Sequence, residues 1–128
     1  MRKLTLILVT SMLIGGAAIA RDRSIPAATP TGEAKSCLSL SSIRESRVRS
    51  DKVIDFRTNG NKWYRNELPN SCPSLGFEER FLYRTSQSEL CSVDIITVLH
   101  SYGNGLDRGA SCGLGKFQPV EIAKKTAK

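Results

Sequence analysis

Four cysteines constrain the fold of this chain more than any other feature of its sequence. Cys37, Cys72, Cys91 and Cys112 form an even set, and successive cysteines are 35, 19 and 21 positions apart. Structural zinc sites and thioredoxin-type redox sites use close pairs such as C-x-x-C, and this sequence has none. We therefore predict two structural disulfides, which are common where a small exported domain has a limited hydrophobic core.

The pairing of these cysteines stays open at this stage, because four cysteines allow three connectivities. We prefer a nested scheme, in which Cys72 pairs with Cys91 and Cys37 pairs with Cys112. The inner bridge would close a loop between successive strands, and the outer bridge would tie the first strand to the last.

The N-terminal segment predicts export. Arg2 and Lys3 precede the uncharged run LTLILVTSMLIGGAAIA, which ends in the small residues of Ala18-Ile19-Ala20. This basic, apolar and small-residue order is typical of a secretory signal peptide. We predict a periplasmic or secreted protein, with a signal peptide over 1–20 and no stable membrane span after cleavage.

The remaining chain is predicted to contain one domain. Residues 21–35 hold two prolines, mixed charges and no apolar period, so they are predicted to be a flexible tether. Residues 36–121 are predicted to form a disulfide-stabilised β domain. A short basic tail is expected over 122–128.

The clearest fold signal is a β-hairpin. Val53–Arg57 and Asn61–Tyr64 are rich in β-branched and aromatic residues, and Asn59-Gly60 between them favours a two-residue type I′ turn. Further strands are expected at 37–43, 80–86, 92–101 and 116–120, and the segment SLGFEERF could form one helical turn. This pattern predicts a mainly β fold, a small antiparallel barrel or sandwich stabilised by two disulfides.

The charge pattern favours an ordinary solvated surface. The net charge is +7, but most basic residues alternate with acidic ones, as in RESRVRSDK. Export and the lack of a recognisable module argue against a nucleic-acid partner. Anionic partners such as acidic glycans remain compatible with this charge.

No catalytic residue, metal ligand or cofactor is assigned from the sequence. His100 is the only histidine, and no nucleophile motif accompanies it. Asp94 is expected to bond locally to the backbone at the start of a strand. The five glycines of SYGNGLDRGASCGLGKF do not match a phosphate-binding spacing, so residues 101–117 are predicted to be a mobile loop and a disulfide-bearing turn.

Three aromatic residues are predicted to bind a partner: Trp63, Tyr64 and Tyr102. Trp63 and Tyr64 are neighbours on a strand and face opposite ways, so one of them is expected to be exposed to solvent. The predicted contact surface for a protein or glycan also includes basic residues that are near in sequence, namely Arg57, Arg65 and Arg84.

Several blocks of this sequence together resemble a family of small exported proteobacterial proteins of unknown function. The resemblance covers residues 36–120 and depends on the hairpin followed by NELPNSCPSL, LCSVDIITVL and CGLGKF. Cys72, Cys91 and Cys112 lie in these blocks. The resemblance implies export and a shared cysteine framework, and it implies no activity.

These observations predict a non-enzymatic binding or inhibitor-like module that binds an envelope protein or a glycan. The alternative is a periplasmic enzyme or metal-binding protein that uses His100 together with Asp94 or another carboxylate.

Overall fold

The computed structural model describes residues 25–85 and 87–124 of this 128-residue chain. The predicted signal peptide lies outside these residues, as do residues 21–24 of the predicted tether and the end of the predicted tail. In the part that is described, no helix is long and apolar enough to cross a membrane.

Strands dominate the described residues, which contain ten of them and one short α-helix. Their bounds are β1 (Ala28–Pro30), β2 (Cys37–Ser39), β3 (Ile43–Val48), β4 (Val53–Thr58), β5 (Lys62–Glu67), α1 (Leu75–Glu78), β6 (Phe81–Tyr83), β7 (Glu89–Cys91), β8 (Ile95–Tyr102), β9 (Gly105–Gly113) and β10 (Phe117–Ile122). Two short 3-10 helices cover Leu40–Ser42 and Asn59–Asn61.

The strands form three antiparallel sheets. A five-stranded sheet has the order β1-β10-β5-β4-β3, a three-stranded sheet has the order β6-β8-β9, and β2 pairs with β7. The two larger sheets share one core, in which Phe56 of β4 contacts Phe81 of β6 with ring centroids 6.4 Å apart. The prediction of a mainly antiparallel β fold with two disulfides is confirmed, and the open sheets resemble a sandwich rather than a closed barrel.

The predicted hairpin is present as β4 and β5. Its turn differs from the prediction, because Thr58 pairs with Lys62 and three residues lie between them. The left-handed residues are Gly60 (φ 73°) and Asn61 (φ 57°), not Asn59 and Gly60. The turn signal in the sequence was therefore placed one residue too early.

Both disulfides form, but the nested pairing was wrong. Cys37 bonds to Cys91, and these residues are directly opposite each other in the β2–β7 pair. Cys72 bonds to Cys112 on β9, with their Cα atoms 5.9 Å apart. The nested scheme assumed that one bridge joins successive strands and the other joins the first strand to the last, whereas the chain brings β2 back beside β7.

Three local predictions also need correction. Within the predicted tether, Ala28–Pro30 is an edge strand that pairs with β10. The predicted mobile loop contains β9, the longest strand in the described chain, in which Gly109 and Ala110 form a bulge opposite Val98. The strand predicted at 37–43 ends at Ser39, a 3-10 helix follows over Leu40–Ser42, and β3 begins at Ile43.

The two faces of the five-stranded sheet differ sharply. Ile54 and Phe56 on β4 face the core together with Tyr64 on β5. The intervening residues of each strand point to the outer face, because side chains alternate along a strand. This alternation puts the predicted aromatic residues Trp63 and Tyr64 on opposite faces.

Candidate binding site

Charged side chains cover the outer face of the five-stranded sheet. The strand register places Glu45 of β3 opposite Arg57 of β4, and Asp55 of β4 opposite Arg65 of β5. We call this surface the arginine face, and define it by Glu45, Arg47, Arg49, Asp55, Arg57, Trp63 and Arg65. It contains four arginines and two carboxylates, so it has a net charge of +2.

Asp55 is the buried centre of this face. Its carboxylate is 0 % exposed and accepts hydrogen bonds from Arg49 Nε (2.8 Å) and Arg65 Nε (2.8 Å). A second Arg65 nitrogen donates to Asp55 Oδ2 at 3.0 Å, which makes that contact bidentate. The hydrogen bond from Arg65 to Asp55 raises the pKa of the arginine. Two guanidinium groups therefore replace the water that this carboxylate loses on folding.

Glu45 is the exposed counterpart of Asp55. It accepts hydrogen bonds from Arg47 Nε and, at 3.0 Å, from Arg57 Nε. The contact with Arg47, followed by that with Arg57, lowers the pKa of Glu45. Glu45 is near the edge of the sheet, where its side chain remains 30 % exposed.

A wide groove adjoins the arginine face next to Trp63. It lies beyond the Val120–Trp63 pair, the last pair between β10 and β5, and has a volume of about 1190 Å³. We call it the basic groove. Its charged and aromatic lining consists of Glu33, Lys35, Arg47, Arg49, Lys62, Trp63, Tyr64, Glu121 and Lys124.

The basic groove has an excess of positive charge. Five of the lining residues that the structure describes are basic and two are acidic. Lys35 and Lys62 form no ion pair with any described residue. The Lys35 ammonium lies 5.5 Å from the centroid of the Tyr64 ring and donates to its hydroxyl at 3.4 Å. An anionic group in this groove would therefore meet cations that are not already neutralised.

Trp63 and Tyr64 both line the groove but differ in exposure. Trp63 is half-buried, and the Arg47 guanidinium carbon lies 5.3 Å from the centroid of its ring. Tyr64 is 8 % exposed and packs in the core. The expectation that only one of the two is exposed to solvent is confirmed. Their role in binding stays a prediction.

Tyr102 lies elsewhere in the molecule. It ends β8 in the three-stranded sheet, is 62 % exposed and does not line the basic groove. The structure therefore brings together two of the three aromatic residues that the sequence analysis selected. Arg57 and Arg65 belong to the arginine face, and Arg84 lies after β6 in the other large sheet.

His100 has an acidic partner, but this partner is not Asp94, the one carboxylate that the sequence analysis named for it. Its Nδ1 lies 3.1 Å from Glu78 Oε1 on α1. The ring also covers Gly109, where an added Cβ would lie 2.2 Å from His100 Nε2, so any larger residue here would displace the ring. Asp94 Oδ2 instead accepts a hydrogen bond from the Cys91 backbone at 2.7 Å, which confirms its predicted local role.

Metal-ligand geometry is present at one place in the described residues. The side-chain ligand atoms of Cys37, Glu89 and Cys91 lie within 4.8 Å of one another. Both sulfur atoms belong to one disulfide, so neither is the thiolate that binds a metal ion.

Sequence reasoning missed most of the basic groove. Lys35 was placed in a flexible tether, and no strand was predicted for the segment that contains Arg47 and Arg49. The signal that could have revealed the arginine face is the period-two order Glu45, Arg47, Arg49, which is the pattern of a strand with one charged face.

Comparison of the chain with family models, with curated proteins and with solved structures finds no match. The family resemblance noted from the sequence therefore stays a prediction.

Proposed function

We propose that this protein is a non-catalytic, exported binding domain, and that its basic groove binds an acidic glycan of the cell envelope. The observation that carries this proposal is the position of Lys35 and Lys62, both without an ion pair among the described residues, in one groove with Trp63.

The lysines favour an anionic ligand. A single exposed lysine contributes little binding free energy through a surface ion pair. Several lysines in one concave site, however, raise the local concentration of anions. Glu33 and Glu121 partly offset this charge and leave the lining with a formal excess of three positive charges, two of which belong to the already paired Arg47 and Arg49. An extended ligand with spaced negative groups suits this distribution better than a single small anion.

Trp63 provides a surface on which a sugar ring could stack, between the negative groups of such a ligand. Tryptophan offers a large apolar surface with little loss of conformational entropy on binding. Arg47 lies over this ring and keeps a half-exposed side chain, so a ligand could replace or extend the stack. Aromatic and basic groups together recognise a chain that alternates apolar ring faces and carboxylates.

Export is supported by the two disulfides together with the signal-like N-terminus. Disulfides persist in oxidising compartments such as the periplasm or the cell exterior. The chain has no free cysteine among its four. Support for an enzyme is weaker, because His100, the only histidine, contacts a helix carboxylate and packs over a glycine.

The test is binding of an oligogalacturonate, a carboxylate-rich sugar chain, measured by isothermal titration calorimetry. Neutral dextran serves as the comparison ligand. We expect the oligogalacturonate to bind and dextran not to bind, and we expect affinity to fall as salt is raised, because salt screens the lysines.

A matched pair of variants locates the binding site. Lys62→Glu reverses a charge in the groove, and Lys52→Glu makes the same change in net charge at an exposed lysine outside it. We expect Lys62→Glu to weaken binding at least tenfold, which is about 1.4 kcal/mol, and Lys52→Glu to leave it within twofold. Equal losses in both variants, or no binding by the unmodified protein, would contradict the proposal.

A further inference from the structure

The free edge of the five-stranded sheet has a charge pattern that is complementary to itself. β3 is the last strand of this sheet, and its outer edge has no strand partner in the described part of the chain. Glu45 and Arg47 point to the outer face of β3, and exposed Ser46 lies between them. Positive and negative charges are thus equally spaced about Ser46.

The backbone of β3 has groups available for pairing. The N–H of Arg49 donates to Val53 O of β4 at 2.8 Å. The backbone N–H and C=O groups of successive residues point to opposite sides of an antiparallel strand. Those of Arg47 and Glu45 therefore also point toward β4, whereas those of Ser46 and Val48 point away from it. An edge with such outward N–H and C=O groups is a template for another strand.

We propose that β3 pairs antiparallel with β3 of a second copy, about a twofold axis at Ser46. In this register Glu45 of each copy lies opposite Arg47 of the other, and the two Ser46 residues exchange backbone hydrogen bonds. The two-fold contact is isologous, as in most homodimers.

The charges select this register over its neighbours. A shift by two residues places either Glu45 opposite Glu45 or Arg47 opposite Arg47, and like charges directly opposite are destabilising. A shift by one residue places outward backbone groups opposite inward ones and loses the hydrogen bonds. Charged side chains on an edge strand often prevent pairing with another strand. Here the charges of Glu45 and Arg47 repel each other only in the shifted registers.

The proposed dimer joins two arginine faces into one surface. A twofold axis perpendicular to the sheet keeps the outer faces of both copies on the same side. The joined sheet has ten strands, and the basic grooves of both copies open on the same side of it. The dimer goes beyond the glycan proposal and does not depend on it, because its test measures association without a ligand.

Mixing two charge variants tests the register. Glu45→Arg leaves arginine at both positions, and Arg47→Glu leaves glutamate at both. We expect each variant alone to dimerise at least tenfold more weakly than the unmodified protein, and an equimolar mixture to form a heterodimer. The measurement is sedimentation velocity of the disulfide-bonded protein, from micromolar to millimolar concentration.

Two further variants keep the test decisive if a single variant fails to fold. The exchange Glu45→Arg with Arg47→Glu restores opposite charges across the axis, so it should dimerise like the unmodified protein. Ser46→Pro removes an outward N–H and should give a folded monomer. A monomeric unmodified protein at every concentration, a monomeric mixture, or dimers that tolerate the single reversals would overturn the proposal.

Discussion

The arginine face contains two clusters of the same composition in different surroundings. Each has one carboxylate between two arginines: Arg49–Asp55–Arg65 and Arg47–Glu45–Arg57. Asp55 is fully buried and the Glu45 side chain is 30 % exposed. The comparison teaches that burial, rather than the number of ion pairs, decides what a cluster contributes to stability.

The position of each carboxylate in the sheet explains this difference. Asp55 is on β4, which is flanked on both sides by β3 and β5. Side chains from both neighbours therefore cover it. Glu45 is on the edge strand and has a neighbouring strand on only one side, so water reaches it.

The largest expected effect comes from removing the buried charge. Asp55→Asn would leave Arg49 and Arg65, both less than one-fifth exposed, facing a neutral amide. Breaking a buried ion pair in this way costs about 3 kcal/mol of unfolding free energy. Urea denaturation measures the loss, with Glu45→Gln as the matched change, for which we expect less than about 1 kcal/mol. Equal losses would show that burial does not separate the two clusters.

A smaller loss of unfolding free energy is expected when the pH is lowered, because acid protonates Glu45 in the exposed cluster. The pKa of Glu45 is lowered in the folded protein by its hydrogen bonds to Arg47 and Arg57. Glu45 therefore stabilises the fold above the ordinary glutamate pKa of 4.5, and this contribution is lost as the pH falls through the lowered folded value.

The measurement is the difference in unfolding free energy between the unmodified protein and Glu45→Gln as a function of pH. We expect a constant difference at neutral pH that shrinks toward zero in acid. A difference that grows on acidification would have the wrong sign and would contradict a lowered pKa.

The smallest expected effect is a difference between the two clusters in how salt changes their contribution to stability. Screening acts strongly on exposed charges and weakly on buried ones. Molar sodium chloride should therefore remove about half of the Glu45→Gln effect, a few tenths of a kcal/mol, and leave the Asp55→Asn effect nearly unchanged. The same urea titrations at two salt concentrations provide the test, and equal salt responses would be evidence against it.

The secondary-structure elements that were predicted correctly are those whose own residues favour them strongly. The β4–β5 hairpin has two β-prone runs around an Asn-Gly turn, and α1 has the single helical turn expected in SLGFEERF. The β9 strand has a weak signal, because glycine and serine have little β propensity. It forms because β8 pairs with it on both sides of the bulge and Cys112 is bonded to Cys72.

The candidate site was predictable only in part, because it is assembled from distant segments. Trp63 was selected from its strand, and the alternation rule placed it on the face opposite Tyr64. Lys35 and Lys124 enter the groove from segments at opposite ends of the domain, and no spacing in the sequence joins them to Trp63.

The sequence by itself determined a mainly antiparallel β domain, its central hairpin and the fact that all four cysteines form disulfides. These properties depend on residue periodicity, turn chemistry and cysteine number, which are local or compositional. Only the tertiary structure decided that Cys37 pairs with Cys91 and Cys72 with Cys112, that Asp55 is buried between two arginines, and that a basic groove forms beside Trp63. Each of these depends on which distant strands lie side by side, and that choice is made by packing of the whole chain.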